Sequence, residues 1–344
     1  TICMDVMTNI SLKQYTTMKL GGEARYMATA DSAGDVVSLY RNARKENLPI
    51  FVLGGGSNVI THDEVFEGIV LLNKIKGFEV ISETDETTDV KIGAGEVWDE
   101  VVEKTIGLGL QGVEAMSGIP GTAGAAPVQN VGAYGQEIAD TLISLEAYDS
   151  KTDTIVTISA DECDFSYRNS IFRDKEKGRY CILNITLRLN KAEPKPPYYA
   201  SLQRYIDEND IREVNLSVIR VAVLNIRSEK LPDPAELPSA GSFFKNALVE
   251  KWKLEELQKE YSDIPNYAMS DGRYKIPTGW LIDKAGLRGY RSHGMRVYEK
   301  NALVLVNDSA TGYDDLAAIR EEIVQIVFDK FGIKIEQEPL ELSR

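Results

Sequence analysis

The stretch that decides the fold spans residues 117–135 and reads SGIPGTAGAAPVQNVGAYG. Its five glycines lie between Gly118 and Gly135, and nearly every other side chain in it is small. Such a segment exposes backbone N–H groups and lets another molecule come within van der Waals distance of the main chain. A loop of this length without large side chains buries little, so a purely structural role is the weaker interpretation.

A second glycine-rich stretch, residues 53–58, reads LGGGSN and follows the apolar run at 50–52. Alone, such a run is as often a structural turn as a binding loop. It is not the G-x-G-x-x-G motif, and no acidic residue follows at the usual spacing, so a Rossmann fold is disfavoured. Two glycine-rich loops, each after a strand-like run, predict a large anionic ligand such as a dinucleotide, held by backbone at both places.

The composition excludes several classes of function. The chain has 344 residues, enough for two or three domains, and a formal net charge of −14, which argues against nucleic-acid or acidic-membrane binding. Its two histidines, His62 and His293, are far apart, so a histidine triad or a zinc site is not expected. Cys3, Cys163 and Cys181 are scattered, which supports neither a disulfide framework nor a metal cluster. We expect no metal.

The sequence also predicts where the protein works. Apolar residues make up 43% of the chain, and no uninterrupted apolar run reaches the length of a membrane span. The first five residues lack the basic and apolar regions of a signal peptide. We therefore expect a soluble protein of the reducing cytoplasm.

Periodicity and turn residues give a coarse map of the elements. Helices are predicted over 33–47, 97–107, 215–227, 248–260, 278–285 and 313–330. Strands are predicted over 50–53, 69–72, 90–94, 142–148, 154–158, 180–189, 241–245 and 302–306. The turn at 149–153 makes a hairpin of the strands beside it, and the proline-rich stretch 231–238 is expected to be an interdomain linker. The map indicates a β-rich front half and a smaller α+β unit.

Further motifs run almost from one end of the chain to the other. Besides the two glycine-rich stretches, they are Asn9–Lys13, Thr16–Gly22, Tyr167–Phe172, Lys230–Pro234, Ala240–Asn246 and Gly279–Asp283. In this order the set resembles the UDP-N-acetylenolpyruvoylglucosamine reductase (UDP-N-acetylmuramate dehydrogenase) family, the flavoenzymes of peptidoglycan precursor synthesis. The ordered set is more specific than any single motif in it.

The resemblance implies an α+β fold. It is the FAD-binding fold of the vanillyl-alcohol oxidase and p-cresol methylhydroxylase type, with two subdomains, followed by a C-terminal α+β substrate domain. By resemblance, the subdomains cover 1–73 and 74–225, the substrate domain covers 226–328, and a tail at 329–344 returns to the active site. The segment Pro197–Leu202 lies where the long form of the family carries a tyrosine-bearing loop, so this chain resembles the long form.

The resemblance also implies a reaction. NADPH delivers a hydride to FAD and leaves, the UDP-sugar enolpyruvyl ether enters the same space, and the hydride passes from flavin N5 to C3. Ser242 is then expected to donate a proton to C2, with Arg168 and Glu338 beside the enolate carboxylate. The usual Glu-Pro-Glu-Val motif reads Glu336-Gln337-Glu338-Pro339 here, so Glu336 remains a rival to Glu338.

Binding residues are carried over in the same way. Expected FAD contacts are Gly54, Gly55, Gly56, Ser57, Asn58, Ser117, Gly118, Ile119, Pro120, Gly121 and Tyr134. Tyr199 and Lys230 are expected at the substrate diphosphate, and Asn246 at the UDP part. Of Phe243 and Phe244, at least one is expected in the core, because strand side chains alternate. We expect a monomer.

Two alternatives remain open from the residues. One is another flavin oxidoreductase of the same fold, which oxidises a sugar or hydroxy acid with oxygen. Near the glycine loops, only His62 is a candidate for covalent flavin attachment of the kind found in that branch. The other is a non-catalytic nucleotide-sugar binding protein.

Overall fold

The computed structural model describes residues 5–342, so Cys3 and the outermost residues of the predicted first and last segments lie outside it. Within that range the chain forms twenty strands and seven α-helices. The strands are β1 (Val6–Ser11), β2 (Glu23–Ala30), β3 (Ile50–Leu53), β4 (Val59–Thr61), β5 (Phe66–Asn73), β6 (Phe78–Glu83), β7 (Thr87–Gly93), β8 (Gly132–Ala133), β9 (Gln136–Glu137), β10 (Leu142–Asp149), β11 (Thr154–Ser159), β12 (Tyr180–Asn190), β13 (Ser239–Ser242), β14 (Ala247–Val249), β15 (Tyr267–Ala268), β16 (Tyr274–Ile276), β17 (Arg291–Ser292), β18 (Met295–Val297), β19 (Val304–Asn307) and β20 (Leu340–Leu342). The helices are α1 (Ala33–Lys45), α2 (Trp98–Gly107), α3 (Ala200–Glu208), α4 (Leu216–Lys230), α5 (Lys251–Glu260), α6 (Thr278–Lys284) and α7 (Tyr313–Phe331).

The chain divides into two compact units. The first contains the described residues up to Ile10, Ala24–Gly56 and Phe66–Ser228. The second contains Ser11–Glu23, Ser57–Val65 and the chain from Glu229 onward. Two short early segments thus belong with the C-terminal half. The finer division at residues 73, 225 and 328 stays a prediction.

One sheet of the first unit has the strand order β1-β2-β5-β3, and β2 and β3 both run parallel to β5. Helix α1 begins after Ser32, whose hydroxyl accepts a hydrogen bond from the N–H of Asp35. Its apolar face buries Val36, Leu39 and Ala43 in a core shared with both sheets of this unit. The predicted helix and the predicted strand at 50–53 are both confirmed.

The other sheet of the first unit has the order β11-β10-β12-β7-β6 and is antiparallel throughout. The hairpin predicted around residues 149–153 is confirmed, since Asp149 pairs with Thr154 across the turn. Helix α2 packs Trp98, Val101 and Val102 into the apolar core that includes one face of this sheet. This core supports the stretch at 117–135, whose buried residues Ala123, Ala126 and Val131 are part of it.

The second unit has a four-stranded sheet of order β13-β19-β18-β17 and a three-stranded sheet of order β14-β16-β15. Helices α5, α6 and α7 pack on them around one apolar core. Phe243 and Phe244 are both fully buried there, with ring centroids 5.1 Å apart. Sequence alternation required only one of them inside, but the regular strand ends at Ser242, so the alternation does not continue through the pair.

Two predicted elements of the second unit have different bounds because of tertiary contacts. The strand predicted at 241–245 is Ser239–Ser242, because Gly241 has φ +64° and Phe244 instead bridges Gln337. Helix α5 begins at Lys251 rather than 248, since Ala247–Val249 pair with β16.

The segment 231–238, predicted as a linker, is packed within the second unit. Leu231 and Leu237 contact a buried cluster that includes Val304 and Val306. The N–H of Asn307 also donates to the carbonyl of Pro238 at 2.9 Å.

Candidate active site

The first glycine-rich loop begins where β3 ends, at the carboxyl end of a parallel strand pair. A Cβ on Gly54 would lie 2.6 Å from the Oγ1 atom of Thr122, and a Cβ on Gly55 would lie 3.1 Å from the Cα atom of Gly121. Both distances are shorter than an ordinary van der Waals contact, so the first loop lies directly against the second stretch, with Gly54 against the Thr122 side chain and Gly55 against the Gly121 backbone. This close approach explains why glycines occupy the loop.

The second loop, Ser117–Gly121, follows a short 3-10 turn at Glu114–Met116. Gly118 and Gly121 have φ of +77° and +113°, a region that side chains disfavour. The buried Ser117 hydroxyl donates to the carbonyl of Glu114 at 2.7 Å, and the Gly118 N–H donates to Asp99 Oδ1 at 2.6 Å. These two groups thus hold the loop in shape.

Unlike the N–H of Gly118, three other backbone N–H groups of the two loops are available to a ligand, those of Gly55, Ile119 and Gly121. In the part of the chain that the structure describes, they donate no hydrogen bond to another protein group. Three backbone donors on two touching glycine-rich loops suit a phosphate or a diphosphate. The residues present therefore fit the diphosphate of FAD, and a Cβ at either of the two close glycines would occupy the space that the loops share.

Asp99 is a functional residue that sequence reasoning missed. It lies in the first turn of α2 and receives two hydrogen bonds from Arg220, at 2.8 and 3.0 Å, besides the one from Gly118. Burial by itself raises the pKa of Asp99, but these hydrogen bonds outweigh it and hold the pKa below its ordinary value. The carboxylate stays ionised and anchors the second loop. No local signal links Asp99 to Arg220, because 121 positions separate them.

Arg227 on α4 is a second residue that was missed. Its Nε atom would lie 3.2 Å from a Cβ placed on Gly118, so the guanidinium is beside the second glycine-rich loop. Burial lowers the pKa of Arg227, while the charges of Tyr134 and Asp99 oppose that effect. Within residues 5–342 the guanidinium has no hydrogen bond and no ion pair. It is a cation that a bound anion could pair with.

Arg168 is fixed to the glycine-rich stretch. Its two terminal nitrogens donate to the carbonyls of Asn130, at 3.3 Å, and Gly132, at 2.7 Å. A Cβ on Gly132 would lie 2.8 Å from the guanidinium, which explains a glycine at that position. Because Arg168 has φ +48°, its backbone also takes a conformation that few side chains adopt. These constraints orient the guanidinium before any ligand binds.

Tyr134 and Tyr199 lie together in the first unit. Their ring centroids are 6.0 Å apart in an edge-to-face arrangement. Burial raises the pKa of Tyr134, and Arg227 partly offsets the rise. Tyr199 is 42% exposed and immediately precedes α3, a helix that sequence periodicity did not predict.

Ser242 is the last residue of β13 in the second unit and is half-buried. It pairs with Val304, and the next N–H, of Phe243, donates to the carbonyl of Leu303 at 2.7 Å. The buried Phe243 and Phe244 follow directly, so the serine stands at the edge of the core rather than in it.

The C-terminal segment runs antiparallel beside the residues that follow Ser242. The N–H of Glu338 donates to the carbonyl of Phe243 at 2.8 Å, and the N–H of Lys245 donates to the carbonyl of Glu336 at 2.9 Å. Glu338 is therefore opposite the residue next to Ser242, whereas Glu336 is two residues further away. The Glu336 side chain is 72% exposed and lies 3.7 Å from the Lys245 ammonium.

The predicted substrate residues of this unit have different surroundings. Asn246 accepts a hydrogen bond from the N–H of Thr278 at 3.1 Å, and the Thr278 hydroxyl donates to the carbonyl of Lys245 at 2.6 Å. Asn246 therefore anchors the start of α6. Lys230 is the last residue of α4 and is exposed.

The structure brings the predicted residues together in two sets. In the first unit, the loops at Gly54–Gly56 and Ser117–Gly121 touch, and Tyr134 contacts Tyr199. In the second unit, Ser242 and Glu338 lie one register position apart, with Asn246 further along the same segment. The individual ligand contacts and catalytic roles stay predictions.

His62, the candidate for covalent flavin attachment, is engaged within the second unit. Its ring stacks on that of Tyr313 with centroids 3.8 Å apart, and its Nε2 atom lies 3.0 Å from Glu341 Oε2. One face of the imidazole and its Nε2 atom are thus engaged by protein groups.

Sequence comparison with known families identifies the class of protein. Residues 24–159 match the model of an FAD-binding domain, and residues 233–341 match the model of the UDP-N-acetylenolpyruvoylglucosamine reductase C-terminal domain. The first match includes both glycine-rich loops. The chain is a flavoprotein, and the predicted fold class is confirmed.

Full-length relatives define the family. UDP-N-acetylenolpyruvoylglucosamine reductase of Ralstonia nicotianae is 40% identical, over 96% of this chain and 97% of the relative. The enzyme of that name from Pseudomonas aeruginosa is 38% identical, over 98% of each chain. The protein belongs to the UDP-N-acetylenolpyruvoylglucosamine reductase family.

A solved structure shares the fold. The crystal structure of UDP-N-acetylenolpyruvylglucosamine reductase from Thermus caldophilus superposes with a TM-score of 0.68, at 23% identity, and covers 99% of this chain and 100% of that one. Among residues 5–342, no helix combines the length and the apolar character that a membrane crossing requires.

Proposed function

We propose that this chain reduces the enolpyruvyl ether of UDP-N-acetylglucosamine to UDP-N-acetylmuramate, a step of peptidoglycan precursor synthesis, with NADPH as the electron donor. Its family membership supports the reaction, and the two glycine-rich loops support FAD as the cofactor. Bound FAD would supply the hydride chemistry between NADPH and the enolpyruvyl group, and the two glycine-rich loops would hold it in place.

The cofactor contacts are proposed at both loops. The unpartnered amides of Gly55, Ile119 and Gly121 would donate to the diphosphate. The remaining residues proposed to contact FAD are Gly54, Gly56, Ser57, Asn58, Ser117, Gly118, Pro120 and Tyr134. Because the Gly118 amide already donates to Asp99, that residue would contribute shape rather than a donor.

Ser242 is the proposed proton donor to C2. A serine hydroxyl is a poor acid in water, so it needs neighbours that stabilise its transient alkoxide and surroundings that exclude water. Its position beside buried Phe243 and Phe244 supports such a role.

Arg168 and Glu338 are proposed at the substrate carboxylate. An oriented guanidinium grips a carboxylate through two hydrogen bonds and stabilises the negative charge that develops on it. A carboxylate in the same place would repel that charge, so Glu338 must hold a shared proton during turnover. Glu338 is preferred to Glu336 because its amide pairs with Phe243, next to Ser242.

Three residues are proposed to bind the sugar nucleotide. Tyr199 and Lys230 would contact the diphosphate, and Asn246 the UDP part, with Pro197–Leu202 as the tyrosine-bearing loop of the long form. The exposure of Tyr199 and Lys230 is compatible with ligand contact. We also propose that the protein acts as a monomer in the cytoplasm, in four segments with boundaries at 73, 225 and 328.

A spectrum tests this proposal directly. Purified protein should be yellow, bleach under NADPH without oxygen, and recolour when UDP-N-acetylglucosamine enolpyruvate is added. In Ser242→Ala, bleaching by NADPH should proceed as in the parent, while recolouring slows by about a hundredfold or more, the usual scale for loss of a general acid. Recolouring at the parental rate in that variant would show that Ser242 is not the proton donor.

A further inference from the structure

A cluster of polar side chains in the second unit holds the C-terminal segment and belongs to none of the sites described above. It consists of His62, Tyr313, Arg320, Gln337 and Glu341, and we refer to these five residues as the tail clasp. Gln337 immediately precedes Glu338, and Glu341 follows it by three positions. The clasp therefore grips the chain on both sides of the proposed catalytic carboxylate.

Arg320 on α7 is the centre of the tail clasp. One of its terminal nitrogens donates to Gln337 Oε1 at 2.9 Å and to Glu341 Oε1 at 2.8 Å, and the other lies 3.2 Å from the Tyr313 hydroxyl. The side chain of Arg320 is only 16% exposed. Because the donors of a guanidinium are fixed in one plane, this buried side chain holds its three partners in a defined arrangement.

Glu341 receives the other contacts of the clasp. The Tyr313 hydroxyl donates to Oε1 at 2.8 Å, and His62 Nε2 lies 3.0 Å from Oε2. Burial by itself raises the pKa of Glu341, but the contacts from His62, Tyr313 and Arg320 outweigh it and hold the pKa below its ordinary value. Glu341 is thus an ionised, half-buried carboxylate with three protein partners.

Backbone hydrogen bonds hold this part of the chain at only a few points, among them those between Phe243 and Glu338 and between Lys245 and Glu336. Strand β20 has three residues and pairs only with β4, also of three residues, in a two-stranded parallel sheet. The Leu340 N–H donates to the carbonyl of Asn58 at 3.0 Å, and Gln337 Nε2 donates to the carbonyl of Pro339 at 2.8 Å. So small a sheet is marginal without side-chain support.

We propose that Arg320 and Glu341 are positioning residues, which hold Glu338 beside Ser242 for the substrate step. This inference rests on the proposed role of Glu338. Arg320 binds the side chain of Gln337, the residue next to Glu338, and so restrains the backbone there. Glu341 lies in β20 and restrains the chain on the other side of Glu338. Removing either side chain should increase the mobility of the Glu338 carboxylate. It should not affect the glycine-rich loops of the first unit, which are proposed to bind FAD.

The test uses Arg320→Met in the FAD-loaded enzyme, with the two half-reactions followed separately by stopped flow. The substrate-driven recolouring should slow about tenfold to a hundredfold, the cost of a misplacement near 1 Å, while bleaching by NADPH changes less than about twofold. Hydrogen exchange of the peptide over residues 333–342 should rise by at least about tenfold, since the amides of Glu338 and Leu340 lose their protection. Arg320→Lys should restore part of both effects.

Arg296→Met is the matched control. Arg296 is 11% exposed, pairs with Asp308 at 2.9 Å and with Glu299 in the same unit, and contacts no residue of the tail clasp. It should lower thermal stability to a similar extent but leave the two half-reactions in their parental ratio. If Arg320→Met fails to fold, Glu341→Gln makes the same test with a smaller change of shape.

A double substitution separates this inference from the proposed role of Glu338. If Glu338→Gln slows recolouring and Arg320→Met slows it no further in that background, the two act through one element. If the slowing in the double variant is the product of the slowing in the two single variants, the positioning role is wrong. It is also wrong if Arg320→Met recolours at the parental rate although hydrogen exchange over residues 333–342 has increased. If Glu338→Gln itself has no effect, the proposed role of Glu338 fails instead.

Discussion

The close approach of Gly55 and Gly121 makes a quantitative prediction for Gly55→Ala. The new Cβ would lie 3.1 Å from the Gly121 Cα, whereas ordinary contacts lie at 3.4–4 Å, so the loops must separate by at least 0.3 Å. Overpacking of this kind costs about 1–3 kcal/mol. The free protein can relax, because Gly55 is exposed, but the FAD-bound protein must bring both loops to one diphosphate.

The cost therefore falls mainly on the cofactor complex. About 1.4 kcal/mol corresponds to a tenfold rise in the Kd of FAD, and about 3 kcal/mol to more than a hundredfold. The Kd is measured by quenching of flavin fluorescence on titration into the apoprotein, and the melting temperature of the apoprotein is measured alongside it. We expect a rise of about tenfold or more in Kd and little change in the melting of the apoprotein.

Gly107→Ala is the control for this experiment. Gly107 ends α2, and a Cβ there meets no atom within 4 Å, so alanine should stabilise the helix by about 0.4–1 kcal/mol and leave FAD binding unchanged. A Kd for Gly55→Ala within about twofold of the parent would refute the shared cradle. If Gly55→Ala lowers the melting temperature of the apoprotein as much as that of the FAD-bound protein, the strain lies in the folded protein itself and not in the cofactor complex.

Two further predictions concern titratable groups of the first unit. The folded pKa of Asp99 lies below its unfolded value of about 3.9, so its contribution to stability is present above that value and is lost as pH falls through the folded pKa. Asp99→Asn should therefore lower the urea midpoint at pH 7 and show a smaller further loss towards pH 3; parallel curves would contradict this. Burial raises the pKa of the Cys163 and Cys181 thiols to about 12, so neither should be alkylated by iodoacetamide at pH 8 in the native protein. Peptide mass spectrometry measures the labelling, and labelling before unfolding would show that the thiols are accessible.

Local patterns carried much of the fold. The run Ile50–Leu53 is β3 as predicted, and the turn residues at 149–153 join β10 to β11 in a hairpin. Helix α7, predicted over 313–330, is Tyr313–Phe331. Each of these depends on neighbours within a few positions, where periodicity and turn chemistry act.

Elements of the second unit were less predictable. The strands β14 to β18 are two or three residues long, too short for an alternation to be recognised. In the first unit the same holds for helix α3, which begins directly after Tyr199 without a side-chain capping bond that would mark its start. The burial of both Phe243 and Phe244 depends on where the chain turns after Ser242, which is decided by its pairing with Gln337.

By itself, the sequence determined the two glycine-rich stretches, the strand before the first of them and the family to which the chain belongs; the strand-like run expected before the second is a 3-10 turn instead. The content of small residues and the spacing of apolar residues are properties of short segments. The order of motifs along the chain is likewise visible in the sequence alone. Only the tertiary structure decided that Gly55 touches Gly121, that Asp99 holds Gly118, and that Arg320 binds Gln337 and Glu341 on either side of Glu338 in the chain. Each of these contacts joins residues far apart in the chain, and the free energy that selects them arises only once the core has brought their backbones together.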